Sequence, residues 1–143
     1  MKDQPDGVDP AHFLLVPGAD GVGKDVELGK KVLGDNSALY EDALRTRLGQ
    51  VDWIFVLAGG GGGTGSACHV LHNAATRYLS SIEAAGKVVY VVSKPTAQEL
   101  LNPTINKNYS QLLGDVSAHP HVVIDNEKQL QLLRGKVGML NMY

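Results

Sequence analysis

Five consecutive glycines, at positions 59–63, constrain the fold of this chain more than any other feature of its sequence. They stand between an apolar, β-rich run over 51–57 and a helical pattern that continues to about residue 85. A glycine run costs backbone entropy on folding, so it favours a place where something must approach the main chain closely. Amide groups at a junction between a strand and a helix can surround an anion. We therefore predict a phosphate-binding loop here rather than a flexible linker.

Composition excludes several classes of protein. With 143 residues the chain is long enough for one domain with a hydrophobic core. Its net charge of −2 gives no general attraction to nucleic acid, which we expect it to meet only through adaptors. The polar N-terminus is not a signal peptide, and no apolar run is long enough to insert into a membrane. We expect a cytoplasmic protein.

Strand and helix patterns alternate along the chain, which predicts an α/β fold: a Rossmann-like, mostly parallel sheet with helices on both faces. Strands are predicted over 12–16, 51–57, 87–92 and 121–124, and helices over 25–33, 37–48, 67–85, 105–113 and from 126 to about 135. Trp53 is predicted to lie in the core, and residues 1–11 to form a flexible lead-in. Ligands of such sheets bind where parallel strands end, so the loops at 17–24, 58–64, 93–104 and 125–126 should line one edge.

A second glycine-rich segment offers a rival phosphate site. Residues 18–25 read GADGVGKD, which has the spacing of a P-loop that follows a strand and opens a helix. Its last position should be Ser or Thr, which binds the magnesium ion of the nucleotide, but Asp25 stands there. A P-loop ATPase that uses Gly18 to Lys24 remains an alternative interpretation.

Four segments, taken in order, resemble the tubulin/FtsZ superfamily of GTPases. GGGGGTGS at 59–66 is similar to the family's glycine-rich signature, and GVGKDVELGKK at 21–31 to its earlier phosphate loop, with Val26 in place of the usual proline. SKP at 93–95, followed by Glu99, resembles the ribose-contacting segment, although Pro103 stands where an arginine is frequent. VVIDNEK at 122–128 resembles the strand that ends before a base-reading asparagine. The resemblance covers residues 13–132.

The resemblance implies GTP or GDP as ligand, with Mg²⁺ bound to the nucleotide. It implies that backbone amides of the glycine loop hold the phosphates, that the segment at 21–24 approaches the γ-phosphate, that Glu99 binds the ribose and that Asn126 reads the guanine. The nucleotide-contacting residues so implied are Gly21, Gly23, Gly60, Gly61, Gly62, Gly63, Thr64, Gly65, Ser66, Pro95, Glu99 and Asn126. No catalytic residue and no metal-ligating residue of the chain itself is predicted.

The resemblance also implies a cytoskeletal protein that assembles head to tail into filaments, with GTP hydrolysed at the interface between subunits. Its roles would be of the kind found in cell division or in plasmid- and phage-encoded (TubZ-like) filaments. Family members begin with a further strand and glycine turn, and they continue into a long helix, an acidic catalytic loop and a second domain. We therefore expect residues 12–143 to be a partial GTP-binding domain, as a fragment or a short relative, and to be inactive as a GTPase alone. A non-catalytic interaction domain with the same fold is the other alternative.

Three further side chains near the glycine loop are candidates for metal binding or thiol chemistry. His69 and His72 lie one turn apart on the predicted helix, a spacing that suits a metal, but no third ligand is evident, so we expect structural roles. Cys68 is predicted to be a small packing residue rather than a reactive thiol.

Overall fold

The structure, a computed structural model, describes residues 7–18 and 21–141. Residues 1–6 of the predicted lead-in, the pair at 19–20 within the rival P-loop and the last two residues lie outside the described part. Six α-helices and three β-strands are present in the described part: α1 Val26–Asp35, α2 Ser37–Arg47, β1 Ile54–Gly59, α3 Gly63–Ser66, α4 His69–Ser81, β2 Val88–Lys94, α5 Pro103–Val116, β3 His121–Asp125 and α6 Asn126–Asn141. Short 3₁₀ helices cover Pro10–His12 and Glu99–Leu101.

The three strands form one parallel sheet in the order β1-β2-β3. Each crossover passes through helices, α3 and α4 between the first two strands and α5 between the last two. The predicted α/β class, with a parallel sheet and helices, is therefore confirmed.

The main core lies between the sheet and helices α4 and α5. Val56, Tyr90 and Val92 of the sheet pack against Leu79 of α4 and Leu112 of α5, and each of these side chains is buried. Helices were predicted on both faces of the sheet, but the opposite face is partly uncovered at β1, where Phe55 and Leu57 are 57% and 73% exposed. The two helices α4 and α5 thus cover the same face.

A second, smaller core joins the outer helices to α4. Leu33 of α1 and Tyr40 of α2 pack around Ala74, which is fully buried. The hydroxyl group of Tyr78 on α4 donates to the backbone carbonyls of Leu48 and Gly49 at 3.0 and 2.7 Å, which ties the end of α2 to this layer. Helices α1 and α2 therefore form an outer layer above α3 and α4.

Several predicted boundaries differ from the observed ones. The strand predicted over 12–16 is absent, because residues 10–12 form a 3₁₀ turn and 13–16 have no regular structure. The helix predicted over 67–85 is shorter at both ends, because α4 covers only His69–Ser81, and a separate short helix, α3, precedes it at Gly63–Ser66. Trp53 is not in the core but 53% exposed, because β1 begins only at the next residue. The last helix continues past Gly135 to Asn141.

Candidate functional site

The carboxyl ends of the three strands define one edge of the sheet. In the parallel register Gly59 lies beside Ser93, and Lys94 lies beside Asp125, so the chain leaves all three strands on the same side. The segments predicted at 59–66, 93–99 and 125–126 follow directly from these strand ends. This is the position at which open parallel sheets bind their ligands.

The glycines of the loop after β1 are required by the protein's own packing. Gly61 has φ +95°, and a Cβ atom there would lie 2.7 Å from Cγ2 of Ile105. A Cβ atom on Gly65 would overlap the backbone carbonyl of Gly59. A Cβ atom on Gly60 would likewise overlap the Tyr109 ring and the Ser93 carbonyl, and one on Gly63 would overlap the Asp25 carbonyl. The close approach that the sequence predicted therefore exists, but at these four glycines the approaching atoms belong to the protein.

Gly62 is the exception within this loop. It has φ −85° and ψ 162°, which any residue adopts, and no atom lies within 4 Å of a Cβ atom built on it. Neither its backbone conformation nor its surroundings in the chain therefore require a glycine. A requirement for glycine at this position would have to come from something outside the chain.

Part of the loop's backbone hydrogen-bonding capacity is unused. The amide of Gly60 donates to the Ser93 carbonyl at 2.9 Å, and that of Gly63 donates to the Gly23 carbonyl at 3.2 Å. Within the described residues, the amides of Gly61, Gly62, Thr64 and Gly65 have no hydrogen-bond acceptor. Because unpaired amides in native proteins usually bind water or a ligand, these four are available to a ligand at the sheet edge.

The two hydroxyl side chains of the loop differ in accessibility. Thr64 is exposed, so its hydroxyl can reach a ligand beside the loop. Ser66 is only 1% exposed, and its hydroxyl is buried without a partner among the described residues. A direct contact from Ser66 to a ligand would need a local rearrangement, whereas Thr64 needs none.

The earlier glycine segment meets the loop at the same edge. Gly21 and Gly23 have φ values of +129° and +56°, and both positions open to free space. The Gly23 carbonyl accepts the hydrogen bond from Gly63, so the two glycine-rich segments are in direct contact. The resemblance predicted both segments as parts of one phosphate site, and the fold brings them together.

The alternative P-loop lacks its usual structural context. Its last residue, Asp25, caps helix α1, because its carboxylate accepts the Leu28 amide at 3.0 Å. A capping carboxylate occupies the helix end where a P-loop holds phosphate, and it repels an anion there. No strand precedes this segment in the described residues 7–18. These observations disfavour the ATPase interpretation.

The segment after β2 packs onto the glycine loop and carries a constrained carboxylate. Pro95 is buried and approaches Gly61. The Glu99 carboxylate accepts hydrogen bonds from the Thr96 amide at 2.8 Å and the Thr96 hydroxyl at 2.9 Å. These two bonds lower the pKa of Glu99, so it is ionised at neutral pH and fixed in direction. A fixed carboxylate suits the hydroxyl groups of a sugar.

Asn126 opens helix α6 directly after β3. The preceding Asp125 accepts the Glu127 amide at 3.0 Å, and its other oxygen accepts Nζ of Lys94 at 3.3 Å. Glu127 in turn accepts the Ala97 amide at 3.1 Å, which links the ends of β2 and β3. Asn126 is half-buried at this joint, where its side-chain amide offers both a donor and an acceptor.

Sequence reasoning missed Asn108, which bridges the two glycine segments. It is 4% exposed on α5, and its Nδ2 atom donates to the Lys24 carbonyl at 2.8 Å and to the Gly61 carbonyl at 3.0 Å. A signal did exist in the sequence, because Asn108 lies on the same helical face as the apolar Ile105 and Leu112. A polar residue on a buried face needs hydrogen-bond partners, and here the partners are loop carbonyls.

Two cavities in the described part of the protein differ in their position relative to the glycine segments. One of about 360 Å³ separates residues 24–27 from helix α5, and its wall carries both positive charge, from Lys24 and Lys107, and negative charge, from Asp25 and Glu27. A larger one of about 490 Å³ lies between α2 and the free edge of β1, and apolar side chains such as Leu44 and Phe55 dominate its lining. The smaller cavity adjoins the glycine segments, and the larger one is remote from the strand ends.

The residues noted near the glycine loop have packing roles. His72 is 6% exposed and stacks on Tyr90 with ring centroids 4.3 Å apart. Burial, together with the nearby His119, lowers the pKa of His72. Burial raises the pKa of the Cys68 thiol to about 11, which makes it unreactive at neutral pH. No group of three or more potential metal ligands was found among the described residues.

Comparisons with known proteins identify relatives only through the fold. No protein-family model matches the sequence. No curated protein matches it either. Solved structures do match, and two of them are CetZ from Methanosaeta thermophila, with a TM-score of 0.69 and 24% identity over 84% of this chain, and an empty FtsZ dimer from M. jannaschii, with a TM-score of 0.59 and 25% identity over 78% of this chain.

At the level of the fold, the matches confirm the resemblance predicted from the sequence. This chain spans only 32% of the CetZ chain and 30% of the FtsZ chain. Within the described residues no helix is long and apolar enough to cross a membrane.

Proposed function

We propose that this chain, which has the fold of the tubulin/FtsZ superfamily, binds a guanine nucleotide at the sheet edge where its three parallel strands end. The backbone of residues 60–65 holds the phosphates, with the free amides of Gly61, Gly62, Thr64 and Gly65 as donors. The exposed Thr64 hydroxyl adds a contact, and Gly21 and Gly23 lie on the γ-phosphate side. Mg²⁺ arrives with the nucleotide.

One observation carries this proposal: segments far apart in sequence meet at one edge. The Gly63 amide donates to the Gly23 carbonyl, Pro95 packs on Gly61, and all three strands end at that edge. The unpaired amides of Gly61, Gly62, Thr64 and Gly65 lie at the same edge and provide hydrogen-bond donors for a phosphate.

The remaining parts of the nucleotide have candidate partners at the same edge. Glu99, already ionised and held by Thr96, binds the ribose hydroxyls. Asn126, at the end of β3, pairs with the guanine edge through its amide. Glu127 and Lys94 link the segments that carry these two residues, because Glu127 bonds Ala97 and Lys94 bonds Asp125.

We also propose that the protein assembles into filaments and that GTP hydrolysis depends on this assembly. The protein associates head to tail into filaments, and hydrolysis needs carboxylates from an acidic loop of the neighbouring subunit. The segment described here holds the nucleotide without appreciable turnover on its own. GTP hydrolysis at a rate per molecule that does not depend on protein concentration would contradict this part, whereas light scattering that rises with GTP would support assembly.

Equilibrium binding of a fluorescent GTP analogue, with unlabelled GTP and ATP as competitors, tests the proposal. We expect displacement by GTP and not by ATP. An Asn126→Ala variant should lose this preference while its far-UV circular dichroism stays unchanged. A matched control is Asn73→Ala, which truncates an exposed asparagine on α4. Displacement by ATP would instead favour the P-loop at Gly18 to Lys24, and absence of any binding would favour a non-catalytic interaction domain.

A further inference from the structure

Asn108 connects the two glycine-rich segments through a single side chain. Its carboxamide has two N–H donors, and the Nδ2 atom that carries them lies 2.8 Å from the Lys24 carbonyl and 3.0 Å from the Gly61 carbonyl. The two acceptors are 84 and 47 residues away in sequence. Because Asn108 is 4% exposed, water cannot easily replace these bonds.

Direct contacts already leave little freedom between the two segments. The Gly63 amide bonds the Gly23 carbonyl at 3.2 Å. A Cβ atom on Gly63 would lie 2.5 Å from the Asp25 carbonyl oxygen, and one on Gly29 would lie 2.5 Å from the Gly63 carbonyl oxygen. Closely packed backbones of this kind transmit displacement, because no gap absorbs it.

Helix α5 is the common support of this joint. Ile105 approaches Gly61 and Tyr109 approaches Gly60, on either side of Asn108. The hydrogen bond from Asn108 to Lys24 extends the same support to the segment before α1. The helix therefore holds both glycine segments at a fixed separation.

We propose that Asn108 is a positioning residue that couples the two segments, so that a phosphate held by residues 60–65 sets the conformation of residues 21–25. This inference rests on the proposed nucleotide site, and it adds how that site distinguishes a triphosphate from a diphosphate. Only a neutral amide suits this position, because both partners are carbonyl oxygens. A carboxylate there would face two acceptors and donate to neither.

The first test does not depend on a nucleotide. Amide hydrogen exchange is compared in the unliganded wild type, in Asn108→Asp and in the matched control Asn73→Asp, which makes the same chemical change at an exposed position of α4. We expect exchange at least about tenfold faster in Asn108→Asp within both 21–26 and 60–66, with β2 unchanged. Faster exchange in only one segment, or in neither, would overturn the coupling.

A smaller change keeps the test decisive if the aspartate variant does not fold. Asn108→Ser removes both bonds to the loop carbonyls and places no charge in the core. We expect it to melt as a single transition and to show the same paired increase in exchange. Wild-type exchange in this variant would overturn the inference.

The second test separates positioning from general loss of structure. The ratio of the dissociation constants for fluorescent GDP and GTP is measured in the wild type and in both Asn108 variants. We expect a ratio above one in the wild type and a ratio near one in the variants. An equal loss of affinity for both nucleotides, with the ratio unchanged, would contradict the positioning role. A wild type that binds neither nucleotide would remove the proposed function, while the exchange result would still decide the coupling.

Discussion

Alanine substitutions at two glycines of the same loop should have opposite effects on stability and on binding. A Cβ atom on Gly65 overlaps the Gly59 carbonyl, and the atoms that it meets are backbone atoms, which cannot rotate away as a flexible side chain can. A Cβ atom on Gly62 meets nothing within 4 Å, in a backbone conformation open to any residue. The two positions therefore separate glycines required by the fold from a glycine available to a ligand.

The expected magnitudes follow from these contacts. Forcing an atom into a packed backbone costs about 2–4 kcal/mol, so Gly65→Ala should lower the melting temperature by roughly 5–15 °C. Gly62→Ala should change the free energy of unfolding by no more than about 0.5 kcal/mol, with a slight gain from the lower entropy of the unfolded chain. Its methyl group would stand on the open side of the loop and weaken nucleotide binding about tenfold or more.

Thermal unfolding by circular dichroism and titration with a fluorescent GTP analogue measure both quantities on the same preparations. Equal destabilisation by the two substitutions would refute the assignment of the Gly65 clash, as would a Gly65→Ala variant that melts like the wild type. If Gly62→Ala binds the analogue with wild-type affinity, the phosphates do not lie against this part of the loop.

Three further outcomes follow from single side chains. Burial and His119 lower the pKa of His72 below 6.5, so the unfolded chain binds a proton at this residue more readily than the folded one. The free energy of unfolding, measured with urea, should therefore fall by at most about 1.4 kcal/mol per pH unit as the pH decreases below 6.5. This pH dependence should be smaller in His72→Phe. Glu83 has φ +53°, so Glu83→Gly should raise the free energy of unfolding by about 0.5–1 kcal/mol, and a loss of stability would contradict strain there. Because burial and Asp115 raise the pKa of Cys68 to about 11, iodoacetamide at pH 8 should modify it at least about 100-fold more slowly in the native protein than in urea.

The regular elements could be predicted because their signals are local. Helix α4 has an apolar stripe at helical spacing, and β2 is rich in valine, so both were predicted at the observed place, although the helix was predicted too long at each end. Where the prediction failed, distant contacts decide the outcome. Residues 13–16 have the sequence pattern of a strand, but no strand in the described part of the chain pairs with them, and Trp53 precedes a strand that begins at Ile54. Sequence patterns carry no information about which neighbours are present.

The sequence predicted that the loops after the strands lie at one edge of the sheet, as they do, but it did not predict what most of the loop's glycines contact. The glycine run was expected to make room for a ligand, yet at Gly60, Gly61, Gly63 and Gly65 the room is filled by the protein itself. A glycine-rich signature can therefore persist in a chain that binds nothing, because the fold alone requires it. The stronger support for a ligand is the set of unpaired amides together with Gly62, where the fold requires no glycine. The role of Asn108 could not be predicted for a similar reason, because it depends on the carbonyls of Lys24 and Gly61, which only the folded chain brings together.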